Sequence, residues 1–157
     1  MDPFQDSHFL NVDLDIKSSS DLSPIASFLG NRVWILFNDI ITPGGLYLLS
    51  LEPNPKREIS NNPERYIRYL VELIDSLPPN LMKLWNKSAS RVFDIGFRGG
   101  VVSQSESNDD FQEIKVYKAD LSPKMAAKLS RLRATIRITV YPYHPEPNTY
   151  QAPGRQE

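Results

Sequence analysis

At 157 residues the chain is long enough for one ordinary domain and too short for two comfortable ones. Eighteen Lys and Arg against nineteen Asp and Glu leave a formal net charge of −1, with 40% of residues hydrophobic and 24% charged. That is the composition of a folded globular domain, and it excludes a protein that coats nucleic acid with its whole surface. Zero cysteines exclude a disulfide framework, a thiolate nucleophile and a Cys-based zinc site. No stretch approaches the roughly 20 apolar residues of a membrane span. The polar, acidic segment 1–8 lacks the pattern of a signal peptide, so a cytoplasmic location is expected.

The first element is a strand. Leu10 to Lys17 alternates apolar and polar residues, which predicts Leu10, Val12, Leu14 and Ile16 facing a core. Asp21–Leu22–Ser23–Pro24 then reads as a helix start, with Ser23 as N-cap, Pro24 at the first helical position and Gly30 as the stop. Arg32 to Ile40 is a strand with apolar residues on both faces, and Pro43–Gly44–Gly45 turns it into a hairpin mate, Leu46 to Leu51.

The middle is helical. Asn62–Pro63 opens a helix whose Ile67, Leu70, Ile74 and Leu77 share one face, with Glu64, Arg68 and Glu72 spaced i,i+4 on another. Pro78–Pro79 breaks it, and a shorter helix with Leu81, Leu84 and Trp85 follows. Arg91 to Phe97 is a strand, 101–110 a polar loop, and Phe111 to Tyr117 a further strand.

The last third echoes the first. Asp120–Leu121–Ser122–Pro123 repeats 21–24 letter for letter, and a helix follows with Met125, Leu129 and Leu132 inward. Ala134 to Tyr141 alternates again, predicting Ile136, Ile138 and Val140 inward. The fold class is therefore α+β: a mainly antiparallel sheet of about six strands with helices on one face, in a doubled ferredoxin-like β-α-β arrangement if the repeat is a true duplication. One domain spans 9–142. The proline-rich stretch 143–157 is expected to be an extended or disordered tail.

No catalytic motif is recognisable, so no enzyme, cofactor or metal site is expected. His8 and His144 read as terminal side chains without a nucleophile beside them. Asp13 and Asp15 share a strand face, and cross-strand ion pairing with Arg133 and Arg137 explains them better than a metal. Gly96–Phe97–Arg98–Gly99–Gly100 lacks the Lys-Ser/Thr of a phosphate cradle. Two charge features remain. The polar loop and its flank carry Glu106, Asp109, Asp110, Phe111 and Glu113 with no base nearby, a candidate partner-binding surface. Lys124, Lys128, Arg131, Arg133 and Arg137 form an acid-free stretch, the candidate surface for nucleic acid.

The order strand, Leu-Ser-Pro helix, hairpin, long helix with Ile74–Asp75–Ser76–Leu77, Phe93–Asp94–Ile95–Gly96 and closing Ile138–Thr139–Val140–Tyr141–Pro142 resembles small bacterial α+β domains of unknown function. Some of those are immunity proteins found beside secreted toxins. The resemblance implies a cytoplasmic protein that binds and blocks one cognate toxin or effector. It carries over no site residues. The alternative is a nucleic-acid-binding module using the basic stretch 124–137.

Overall fold

The computed structural model describes residues 8–57, 59, 61–99 and 118–141. Its elements, in chain order, are β1 (His8–Ser18), α1 (Ser23–Leu29) with a 3₁₀ turn (Gly30–Arg32), β2 (Val33–Ile40), β3 (Tyr47–Pro53), α2 (Pro63–Asp75), α3 (Pro79–Lys87), β4 (Ser90–Arg98), α4 (Pro123–Arg131) and β5 (Thr135–Tyr141). The five described strands form one mixed sheet in the order β2-β3-β1-β4-β5. Three pairings are antiparallel, and β4–β5 is parallel.

Within 8–98 the strand directions interleave two crossovers. β1 and β2 run parallel with antiparallel β3 between them, and β3 and β4 run parallel with β1 between them. After the second Leu-Ser-Pro segment, β5 lies directly beside β4 and parallel to it. The doubled arrangement expected from the sequence is not confirmed, since the strand that would open its second half lies outside the described residues. The sixth expected strand, 111–117, and the proline-rich tail lie outside the described residues.

One sheet face is the core. Val12, Leu14 and Ile16 of β1, Leu49 and Leu51 of β3, and Phe93, Ile95 and Phe97 of β4 are buried there with Ile25, Ile67, Leu70, Ile74, Trp85 and Met125 from the helices. The α2 face is the one its 3.6-residue period predicts. That helix begins where Asn62 accepts the Arg65 N–H at 3.3 Å, with Pro63 at its first position, and Arg68 pairs with Glu64 at 3.0 Å.

Three details of the core differ from the sequence reading. In β1 a register shift between Phe9 and Asn11 inserts an extra residue, so Phe9 is buried and Leu10 is not. Phe9 packs edge-on against Tyr66 and Phe97, at centroid distances of 5.1 and 6.1 Å. In β5, Ile138 and Val140 face the core side but stay 58% and 49% exposed. A nine-residue helix is about 13 Å long whereas a seven-residue strand spans about 23 Å, so α4 can cover only part of β5.

The third concerns the caps. The two identical tetrapeptides start their helices differently. Ser122 is the N-cap of α4, its Oγ accepting the Met125 N–H at 3.3 Å. Its own N–H and hydroxyl donate to the Glu64 carboxylate at 2.8 and 2.7 Å, and these bonds, with Arg68 beside them, hold Glu64 below the usual carboxylate pKa. Ser23 is not a cap. Its helix starts one residue earlier relative to the tetrapeptide, the cap position falls on buried Leu22, and Ser23 instead donates its hydroxyl and N–H to Asp21 at 2.7 and 2.8 Å. Ser122→Ala should therefore cost about 1–2 kcal/mol in urea unfolding, whereas Ser23→Ala should stay within about 0.5 kcal/mol of wild type. Equal costs for the two would contradict this assignment.

Candidate functional site

Among the described residues nothing covers the sheet face opposite the helices, and β-pairing lays its side chains out in rows. Trp34 of β2 lies opposite Glu52 of β3. Beyond Glu52 come Asn11 and Asp13 of β1, then Asp94 of β4, which pairs in turn with Arg137 of β5. A parallel row runs Phe37, Ser50, Asp15, Val92 and Thr135. The alternation that buries Leu14 and Phe93 on one face thus presents Asp13, Asp15, Glu52 and Asp94 on the other.

Neutral donors hold these four carboxylates in place. The Asn11 amide donates to Asp13 Oδ1 and Glu52 Oε2, each at 2.9 Å. Ser50 donates to Asp15 at 2.7 Å, and Thr139 donates to Asp94 at 2.7 Å. Among the described residues a guanidinium reaches two of the four carboxylates: Arg137 lies 3.3 Å from Asp94 and 3.6 Å from Asp15. Gly96 makes room for the arrangement, because a Cβ there would meet Asn11 Oδ1 at 2.7 Å and the Tyr141 ring at 3.4 Å. Burial, followed by the charges of Glu52, Asp15 and Asp94, pushes Asp13 up to about 7. Burial and the same acidic neighbourhood also raise Tyr141.

Chemically, this face can exchange a proton near neutrality and can accept cationic donors. Its β2 border is aromatic: Trp34 is 55% exposed and Phe37 41% exposed. No group of three or more His, Asp or Glu side chains among the described residues has a metal-binding arrangement.

The residues singled out in the sequence are scattered over this frame. Glu106, Asp109, Asp110, Phe111 and Glu113 lie outside the described residues, as does His144. Lys124 and Lys128 line a shallow groove of about 110 Å³ on the helical layer, with Arg68, Glu72, Ser122 and Met125. Arg131 is tied to both oxygens of Asp75 at 2.8 Å. Arg133 does not join the acidic face as expected. It sits in the turn before β5 with φ of 53°. Arg137 does pair with Asp15, although its closer partner is Asp94. Asp13 and Asp15 were visible as a pair, whereas Glu52, Asp94, Asn11 and Trp34 became site residues only through strand order.

Comparison with protein-family models, curated proteins and solved structures returned no match.

The raised pKa of Asp13 has a signed consequence for stability. Folding favours its protonated form, so its contribution is complete below the unfolded value near 3.8 and is lost as pH rises through about 7. The lowered groups Asp21 and Glu64 act oppositely and at lower pH, where stability is lost as they protonate. Asp13→Asn should therefore unfold like wild type at pH 3, gain on it between about pH 4 and 7, and be more stable than it by about 1 kcal/mol at pH 8, as like-charge relief on a sheet face predicts. Parallel pH profiles of urea midpoints for the two proteins would contradict the crowding.

Proposed function

We propose that this chain is a non-enzymatic binding protein of the immunity type, which acts in the cytoplasm by covering the basic active-site cleft of a cognate toxin or effector. The observation that carries the reading is the sheet face opposite the helices, where four carboxylates gather and two of them, Asp15 and Asp94, share the Arg137 guanidinium, beside half-exposed Trp34 and Phe37. Acidic charge of this kind speeds encounter with a basic cleft and selects against other partners. Aromatic side chains at the border supply the desolvated anchors from which most interface affinity comes. The scaffold is read as a single ferredoxin-like layer, 8–98, extended by α4 and β5, and the interleaved crossovers support that reading.

The placement of the basic residues favours a protein partner over nucleic acid. Arg131 is neutralised by Asp75, and Arg137 lies on the acidic face, away from the groove that Lys124 and Lys128 line. Among the described residues no single basic track joins them.

The test is surface plasmon resonance against the product of a toxin gene adjacent to this one. Trp34→Ala should weaken the complex by tenfold or more, mainly through faster dissociation. Glu52→Lys should slow association and reduce its salt dependence. Unchanged kinetics in both folded variants would move the interface off the sheet, and Asp109→Lys with Asp110→Lys would then test the acidic loop. Steep loss of binding to unrelated DNA duplexes between about 50 and 200 mM salt would mark a nucleic-acid-binding protein instead.

A further inference from the structure

We infer that β2 is a dimerisation edge, pairing antiparallel with β2 of a second copy to extend the sheet to ten strands. β2 ends the sheet, so one side of its backbone lacks a neighbouring strand among the described residues. Such edges are ordinarily blunted by lysine, proline, inward charge or a β-bulge, and of these β2 carries the register shift between Ile35 and Phe37 alone. Here Val33–Ile40 contains none of the three basic residue types and no proline, and its one charged residue is Asp39.

The side chains beside this edge are apolar on both faces. Trp34 and Phe37 lie on the open face, Ile40 lies on the helix side, and Leu36 sits at the register shift between Ile35 and Phe37. With Ile41 these residues are 37–55% exposed. From the full areas of large apolar side chains, they present about 400 Å² per copy. Two copies with their backbone ridges then reach about 1,000 Å², the lower bound of a specific interface.

A second copy suits this edge because a two-fold axis near Leu36 creates no like-charge clash. Ile40 N–H is already taken by Asp39 at 2.7 Å, which leaves Val33–Asn38 as the pairing stretch. Asp39 would then stand about 20 Å from its image along the strands. The β1 carboxylates, two strands in from the edge, would lie about 24 Å from theirs, well beyond the screening length at physiological salt. Apolar residues would meet apolar residues, and both acidic faces would lie on the same side of the extended sheet. This assembly shares Trp34 and Phe37 with the proposed toxin surface, but its test needs no toxin.

The test is light scattering of the full chain at ~100 μM, with dilution to ~1 μM to read the dissociation constant. Wild type should run at twice 17.9 kDa at the higher concentration. Leu36→Lys places a charge on the edge at a 46% exposed position where folding does not require leucine, and should weaken the dimer at least tenfold. Ile138→Lys, on the opposite edge strand, should leave it unchanged. A monomeric wild type overturns the inference, as does a dimer that survives Leu36→Lys or one that Ile138→Lys dissociates. Circular dichroism melts of both variants establish that they are folded.

Discussion

A buried arginine with no carboxylate partner among the described residues holds the ends of four elements together. Arg91, at the start of β4, is 7% exposed. Its Nε donates to Trp85 O at 2.9 Å, and Nη2 donates to Asn86 O and Ser88 O at 2.9 and 2.7 Å. These are carbonyls at and just beyond the end of α3, where unpaired acceptors and the helix dipole favour a cation. Nη1 reaches Arg133 O at 3.4 Å, in the turn that launches β5. Burial, with the charge of Arg133 nearby, lowers the Arg91 pKa, but a guanidinium stays charged in proteins. Its removal would take a donor from four carbonyls, of which Trp85 O keeps the Ser88 N–H at 3.1 Å, and open a cavity beside Trp85, whose ring lies 5.6 Å from the guanidinium carbon. The Trp85 Nε1–H is buried without a partner, so this corner already carries an uncompensated donor.

The acidic face depends on that corner. β5 contributes Arg137 and Thr139, which between them bind both oxygens of Asp94. They reach Asp94 because β5 runs parallel to β4 in the register that sets Asp94 beside Arg137. The turn at Arg133, fastened to Arg91, fixes where β5 begins. If β5 slipped by one residue, Arg137 would change faces and Asp15 and Asp94 would lose their guanidinium.

Much of the scaffold was legible in the chain because periodicity encodes which side of an element is wet. The α2 stripe, the alternation in β1 from Val12 to Ile16 and the Asn62–Pro63 start all depend on residues within a turn or two of one another. The bulge at Leu10 was not legible, since one inserted residue leaves the local alternation intact while reversing its facing. The Asp-Leu-Ser-Pro repeats misled for a related reason. Glu64, 58 residues away, takes the hydroxyl of Ser122, whereas adjacent Asp21 takes that of Ser23. Identical letters met different acceptors.

The site was less legible than the scaffold. Asp13 and Asp15 announce one acidic strand face, but Glu52 and Asp94 join them only because β3 and β1 and then β1 and β4 are neighbours, which no local pattern specifies. Arg91 is harder still: its partners are backbone carbonyls, which every residue type offers. The most direct test of this account is amide hydrogen exchange on Arg91→Met, a change that keeps much of the side-chain volume while removing every donor. Loss of a buried, multiply bonded cation should cost about 3 kcal/mol, with protection of the Ile136–Val140 amides falling before that of β1 and β3. Protection of β5 that matches wild type, or falls only together with the whole sheet, would contradict the claim that Arg91 fixes the register on which the acidic face depends.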